Sequence, residues 1–302
     1  MTIAITGGTG FVGQALIDRA LDQGVPVRAL ARKEQEPRDG VEWIAGDLAD
    51  GKALMRLVAG VAAVVHVAGV MTAHDSAGFE AGNVAGTLAM IEAALAAGVR
   101  RFVCVSSLAA REPELSAYGA SKARAERLVE ASALDWTIVR PPAVYGPRDR
   151  DMFELFRAAR WGLVPVPREG RASLIHVEDL ARLLLAVVPG GEGVSHRIFE
   201  PDDGRSGGWA HDELARAIGR AVGRRPRVVG LSKRMMEWAA RADGMMRGPR
   251  ARLTLDRVGY MTHPDWVAGS HSRVPAVLWR PRVETLAGLE ATARWYRQAG
   301  WL

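Results

Sequence analysis

Tyr118 and Lys122 stand four residues apart in a stretch that reads as helix from Tyr118 to Ala131, so both side chains project from one face. A free tyrosine titrates near pH ~10, too high for a ready base at neutral pH. A neighbouring ammonium favours the phenolate and lowers that value. Such a phenol can give a proton to a carbonyl oxygen or take one from an alcohol. Ser106 and Ser107 close the preceding strand-like run, where a hydroxyl can bond the same oxygen as charge develops on it. Counting from the strand favours Ser107 for that task and turns Ser106, after Val105, toward a cofactor or the backbone. Alone, this spacing also fits an ordinary helix face.

A second motif gives it a partner. Thr6-Gly7-Gly8-Thr9-Gly10-Phe11-Val12-Gly13 lies between an apolar run and a helical stretch at the start of the chain. Glycines there permit a tight turn and close backbone approach to a pyrophosphate, which the helix N-terminus then binds. A glycine-rich turn that merely packs helix on strand is the bland alternative. In this order, the two motifs imply hydride transfer to or from a nicotinamide ring, whose positive oxidised form would lower the tyrosine further. Cofactor choice is read at the end of the second strand. Ala31-Arg32-Lys33 carries no acid to accept from a ribose 2′-hydroxyl, and Arg32 can pair with a 2′-phosphate. NADP is therefore expected over NAD. Surface solvation of Arg32, with a Lys33–Glu34 pair, is the alternative.

The elements that must position these residues alternate. Strands are expected at Thr2–Thr6, Val25–Ala31, Glu42–Ala45, Ala62–Val67, Phe102–Ser106 and Trp136–Arg140. Helices are expected at Phe11–Asp22, Phe79–Ala97 and Tyr118–Ala131. Such alternation means an α/β fold, a doubly wound parallel (Rossmann) sheet covered on both faces. After Pro141-Pro142 the pattern loosens into short helices (Met152–Arg160, Val177–Val187) and strand pieces (Ser173–Ile175, Ser195–Phe199). The expected division is a dinucleotide-binding domain over 1–145 and a small C-terminal substrate lobe over 146–302, partly interleaved with the first.

Bulk properties exclude other classes. The 302 residues carry a net charge of +6, but the arginines are scattered without a basic run or interleaved aromatics, which argues against nucleic acid. A single cysteine, Cys104, excludes an internal disulfide and a cysteine-based zinc site, in keeping with a reducing compartment. His74, His196, His211, His263 and His271 form no metal-ligand spacing, so no metal is expected. Ile3-Ala4-Ile5 is too short for a secretory signal and no apolar stretch spans a bilayer, so a cytoplasmic location is expected.

The motifs resemble those of the extended short-chain dehydrogenase/reductases, with the NAD(P)-dependent epimerase/dehydratase branch among them. Gly7, Gly10 and Gly13 correspond to that family's TGxxGxxG loop, with Thr9, Phe11 and Val12 inside it. Asp47-Leu48 resembles the Asp-Leu that contacts adenine, and His66-Val67-Ala68-Gly69 the segment lining the cofactor. Asn83-Val84-Ala85-Gly86-Thr87 matches NVxGT, and Ile175-His176-Val177-Glu178-Asp179 resembles IHVxD. Arg140 to Pro147, with Pro141, Ala143 and Val144, resembles the RPxxVYGP segment at the nicotinamide end. Thr292 to Tyr296 resembles the branch's closing helix. The resemblance places the catalytic Ser, Tyr and Lys on Ser107, Tyr118 and Lys122. Bland rivals stand beside these: Asp47 as a helix cap, Asn83 as a bridge between strands, and His66 and His176 as structural histidines. The resemblance also makes a homodimer through the helices after the fourth and fifth strands a candidate assembly.

The substrate side is less defined. Met235, Trp238, Ala242 and Met245 recur at helical spacing after Leu231. Core packing ranks first for this stripe, a pliable wall for a hydrophobic substrate second. A membrane-surface helix bordered by Lys233, Arg234, Arg241 and Arg247 ranks last, so membrane association is not expected. Arg148, Arg150 and Arg171 are the only obvious candidates for a diphosphate clamp. The leading expectation is an NADP-dependent oxidoreductase acting on a carbonyl or secondary alcohol of a largely apolar small molecule. An NAD-dependent nucleotide-sugar epimerase or dehydratase comes second, and a redox-silent NADP-binding sensor or assembly protein third.

Overall fold

Strands covered by helices on both faces need uninterrupted apolar runs, and the first half of the chain supplies them. The computed structural model describes residues 1–248, 251 and 253–302. It begins β1 (Ile3–Thr6), α1 (Phe11–Asp22), β2 (Val27–Ala31), β3 (Val41–Ala45), α2 (Gly51–Val58) and β4 (Ala63–His66). A short α3 (Ser76–Phe79) runs through a π-helical stretch, Glu80–Ala85, into α4 (Gly86–Ala96). Then come β5 (Arg101–Val105), α5 (Ala117–Glu130) and β6 (Asp135–Val139). Every residue of β1, β4 and β5 is buried.

The rest of the chain holds β7 (Ala143–Tyr145), α6 (Phe153–Trp161), β8 (Leu163–Pro167), β9 (Arg171–Ala172), β10 (Leu174–His176) and α7 (Val177–Ala186). It continues with β11 (Arg197–Phe199), β12 (Trp209–Ala210), α8 (His211–Ala221), β13 (Arg227–Leu231) and α9 (Lys233–Arg247). Last come α10 (Leu255–Met261), β14 (Asp265–Trp266) and α11 (Thr285–Gln298).

Seven strands form one parallel sheet in the order β11-β6-β5-β4-β1-β2-β3. The order reverses beside β1, which is the switch point where such sheets bind ligands outside the strands' carboxyl ends. One face packs Leu54, Leu57, Met90, Ile91 and Ala94 of α2 and α4 against Val64, Phe102 and Ile138. The doubly wound α/β fold expected from the alternation is the one observed.

Two compact units divide the chain. The first comprises Met1–Pro141, Leu180–Glu200 and Ser272–Arg280; the second comprises Pro142–Asp179, Pro201–His271 and Pro281–Leu302. In the second, Tyr145, Phe156, Leu174, Ile218, Leu289 and Tyr296 form a buried cluster. Asp179 accepts from the Arg282 and Val283 amides, and Asp203 accepts from Thr285 Oγ1 and Trp209 Nε1. Among the described residues no helix is long and apolar enough to cross a membrane.

Two local expectations need correction. The helix expected at Phe79–Ala97 is not uniform, because the six residues Glu80–Ala85 widen into a π turn around Asn83. The stripe ranked first as core faces solvent: Met235 is 50 % exposed, Trp238 70 % and Met245 89 %. The side of α9 that packs is Met236 and Ala240, against Val258. Met235 and Met236 stand about 100° apart on the helix, and the narrow contact with Val258 takes Met236.

Candidate active site

The first unit brings the loops after β1, β4 and β5 together with the start of α5. Gly7 has a φ of +71°, and a Cβ there would sit 2.7 Å from the Ala68 nitrogen. Only glycine suits both the backbone and the space. Gly13, in the first turn of α1, lies against Gly7: an added Cβ would overlap the Gly7 carbonyl oxygen and come within 2.8 Å of the Gly8 Cα. This packing holds the loop in one shape, with Gly10 N donating to Gly7 O at 2.9 Å. The N-cap Gly10 supplies no side-chain cap, and no acid stands in the first turn of α1. The helix dipole and its leading N–H groups, on Phe11 and Val12, are left to an anion. Thr9 is exposed, and its carbonyl accepts from Gln14 Nε2 at 2.9 Å. A backbone cradle too close for side chains fits a dinucleotide pyrophosphate.

Arg32 and Lys33 are exposed at the end of β2. Asp47 is exposed too, and its Oδ1 accepts from the Ala49 and Asp50 amides at 2.9 and 3.2 Å. Asp50, not Asp47, caps α2, accepting from Ala53 N. Leu48 packs over Gly86 on α4.

Asn83 ties the loop after β4 to α5. Its Oδ1 accepts from Val70 N at 2.7 Å, while Nδ2 donates to Val70 O at 3.0 Å and to Ser121 Oγ at 2.8 Å. The segment Val67-Ala68-Gly69 is thereby held against α5, and a Cβ on Gly69 would stand 3.6 Å from Lys122 Nζ. The π turn supplies the side-chain direction this bridge needs, a common reason for such turns near functional sites.

Ser116 caps α5 by accepting from Gly119 N at 2.9 Å, which fixes where Tyr118 enters. The Tyr118 ring lies 6.1 Å from that of Phe79 and is buried. Lys122 is buried and donates through Nζ to Val105 O at 2.8 Å. Burial lowers its pKa, opposed by the nearby Cys104 and Glu126. Ser107 Oγ accepts from Ala109 N at 3.2 Å, and Leu108 N donates to Pro141 O at 3.1 Å. Ser106 donates its amide to Val139 O at 2.7 Å, but its buried Oγ has no partner within the chain. A bound molecule is the natural partner for such a hydroxyl. Ala143 and Val144 lie on β7 of the second unit, paired with Leu174 and Ile175.

Three features are absent from a reading by motif. The first is a relay through His66. Its Nδ1 lies 2.8 Å from Thr6 Oγ1 and its Nε2 lies 3.1 Å from Thr87 Oγ1. Thr87 gives its proton to Asn83 O at 2.6 Å, so toward His66 it can only accept, and Nε2 carries the hydrogen. Nδ1 must then accept from Thr6, which itself accepts from Ala68 N. The ring is neutral and fully satisfied. Burial first, and the Lys122 charge second, push its pKa down to about 3.

Unfolding restores an ordinary histidine of pKa 6.5, so below that pH the unfolded chain binds one more proton. The contribution of His66 to stability is complete above pH 6.5 and is lost as pH falls toward 3. Denaturant titrations at pH 6.5 and 4.5 should show about 2 kcal/mol more loss in the wild type than in His66→Gln. Equal losses would remove His66 as the cause.

The second feature is a buried ion network. Arg140 donates to both Glu126 oxygens at 2.9 and 2.6 Å and to Glu200 at 3.4 Å, and Arg111 meets Glu200 at 3.3 Å. It pins α5, which carries Tyr118 and Lys122, to β6 and β11. The third is the state of the clamp candidates. Arg171 donates to the Gly207 and Gly208 carbonyls, and the Arg150 guanidinium lies 5.4 Å from the Trp301 ring centre. The Asn83–Thr87 spacing of four carried a signal for the relay; nothing local carried the network.

A parallel switch-point sheet, a tight glycine turn at α1 and a buried tyrosine and lysine on α5 stand together in the first unit. Residues 3–200 match the model of the NAD dependent epimerase/dehydratase family, and the chain belongs to that family. It is 37 % identical to the ceramide reductase of Caulobacter vibrioides, over 99 % of this chain and 96 % of that one. It is 26 % identical to the UDP-glucose 4-epimerase of Vibrio cholerae, over 99 % and 96 %. Among solved structures it resembles MoeE5 in complex with UDP-glucuronic acid and NAD, at a TM-score of 0.77 and 24 % identity, covering 99 % and 100 %. The chain is an NAD(P)-dependent oxidoreductase of the extended short-chain dehydrogenase/reductase type.

Proposed function

We propose that the chain is an NADP-dependent reductase of a carbonyl on a largely apolar, lipid-like molecule. The observation that carries the cofactor choice is Arg32. It stands exposed at the end of β2 with no acid beside it on the strand, and no hydrogen bond or ion pair engages it among the described residues. A 2′-phosphate is the group such an arginine binds. Gly7, Gly10 and Gly13 cradle the pyrophosphate, with Asp47 and the Val67–Gly69 segment along the adenosine half.

NADPH bound there would supply the hydride for the carbonyl carbon and become NADP⁺. Tyr118 gives its phenolic proton to the carbonyl oxygen, Ser107 donates a hydrogen bond to that oxygen, and Lys122 holds the ribose and favours the phenolate left behind. The product is the alcohol. Ser106, with its unpaired Oγ, faces the cofactor. Pro141, Ala143 and Val144 serve the nicotinamide end.

The full-length likeness to a ceramide reductase supports a lipid carbonyl, and ceramide-class lipids are the first substrates to try. The alternative, NAD-dependent nucleotide-sugar epimerisation, draws support from the Vibrio cholerae relative. It asks for a diphosphate clamp, and of the candidates Arg148, Arg150 and Arg171 the last is already bonded to the Gly207 and Gly208 carbonyls.

Arg32→Ala should raise KM for NADPH about 10–100-fold, the range for a lost charge-assisted hydrogen bond, and leave KM for NADH nearly unchanged. If both constants move together, or neither moves, Arg32 does not read the 2′-phosphate.

A further inference from the structure

Among the described residues of the second unit, the outer face of α9 carries an exposed apolar stripe. Met235, Trp238, Ala242 and Met245 follow one another at steps of three and four residues and so form one stripe along the helix. All four are exposed, and Met246 beside them is 84 % exposed. The opposite side, Met236 and Ala240, supplies the packing against Val258, so the helix does not need the outer stripe in order to fold. Scattered exposed apolar residues are ordinary; a continuous Met/Trp stripe on one helix is not.

Cations outnumber acids four to two on α9, and those beside the stripe are Arg234 and Arg241. Lys233, Arg234, Arg241 and Arg247 are exposed, and the Arg241 guanidinium lies 5.8 Å from the Trp238 ring centre. The two acids of the helix do not share that exposure. Asp243 is bound to Arg247 at 3.2 Å and accepts from Leu253 N at 3.0 Å, and Glu237 is half-buried. An apolar stripe with an indole, bordered by long cations that can snorkel, matches a boundary between acyl chains and anionic headgroups.

We propose that α9 is a membrane-docking helix that lies in the surface of an anionic bilayer. Its apolar stripe enters the headgroup–acyl boundary while Arg234 and Arg241 beside it meet the lipid phosphates. At 15 residues it is too short to cross a bilayer and suits a position along its plane. A second copy of the chain is the competing occupant. A row of exposed cations repels an identical row brought against it, whereas anionic lipid neutralises it. The proposal rests on this helix alone and stands whether or not the reductase reading holds.

The test is co-sedimentation of the full chain with vesicles of phosphatidylcholine alone and of phosphatidylcholine mixed with phosphatidylglycerol. The expected result is binding to the anionic vesicles that weakens at high salt. Replacing Trp238, Met245 and Met246 together by Ser should reduce that binding at least 10-fold with an unchanged melting temperature, since all three are exposed. Arg234→Gln combined with Arg241→Gln should remove the preference for anionic vesicles. Sedimentation velocity runs alongside. No binding to either vesicle, full binding by the Ser variant, or a loss of self-association in that variant with vesicle binding untouched would each overturn the proposal.

Discussion

Tyr118→Phe is expected to lower kcat by about 10²–10⁴-fold while leaving the affinity for the dinucleotide nearly unchanged. The substitution removes one hydroxyl and keeps the ring, which is buried and lies 6.1 Å from Phe79. Packing at the start of α5 is therefore preserved. Ser116 still caps the helix and Lys122 still bonds Val105 O, so the frame around the missing proton stays in place. A loss confined to kcat means an interaction made in the transition state. Stopped-flow measurement of cofactor binding and steady-state turnover on the same preparation separates the two. Full activity in Tyr118→Phe would remove the phenol from the reaction.

The second large effect is expected at Gly13. Gly13→Ala places a methyl carbon into the Gly7 carbonyl and 2.8 Å from the Gly8 Cα, all of it backbone that cannot turn aside. The loop must open, and the leading N–H groups of α1 lose the direction that lets them share one pyrophosphate. Affinity for NADP should fall by about 100-fold or more, as when two or more charge-assisted hydrogen bonds are lost together. Stability should fall by only about 1–3 kcal/mol, the usual range for overpacking. Calorimetric titration with NADP and a thermal melt give both numbers. An unchanged affinity would mean that the cradle does not hold the cofactor.

How far the fold could be read from the sequence follows from which forces act locally. β1, β4 and β5 are buried on both faces, so each shows a short apolar run, Ile3–Ile5, Ala63–Val65 and Phe102–Val105. The cradle was legible for a similar reason, since Gly7 and Gly13 are where backbone approach forbids a side chain. The π turn at Glu80–Ala85 was not. It is held by Asn83 reaching Val70 and Ser121, contacts made only after the fold has formed. The Arg140–Glu126–Glu200 network was hidden likewise, because its members come from distant parts of the chain. On α9 the periodicity was real but named the wrong side. Both Met235 and Met236 are apolar, and only the position of Val258 decides which of them is covered.

The first unit holds a tight glycine turn, an exposed arginine after β2 and a buried tyrosine and lysine on α5. The most direct test of the account is to supply NADPH deuterated at C4 to the purified protein, together with long-chain keto lipids of the ceramide class. The product alcohol and the cofactor are then analysed by mass spectrometry. The account predicts deuterium on the new carbinol carbon and an equal amount of NADP⁺ formed, both abolished in Tyr118→Phe. Tightly retained NAD that turns over a nucleotide sugar without net cofactor oxidation, with no deuterium entering any lipid, would contradict it.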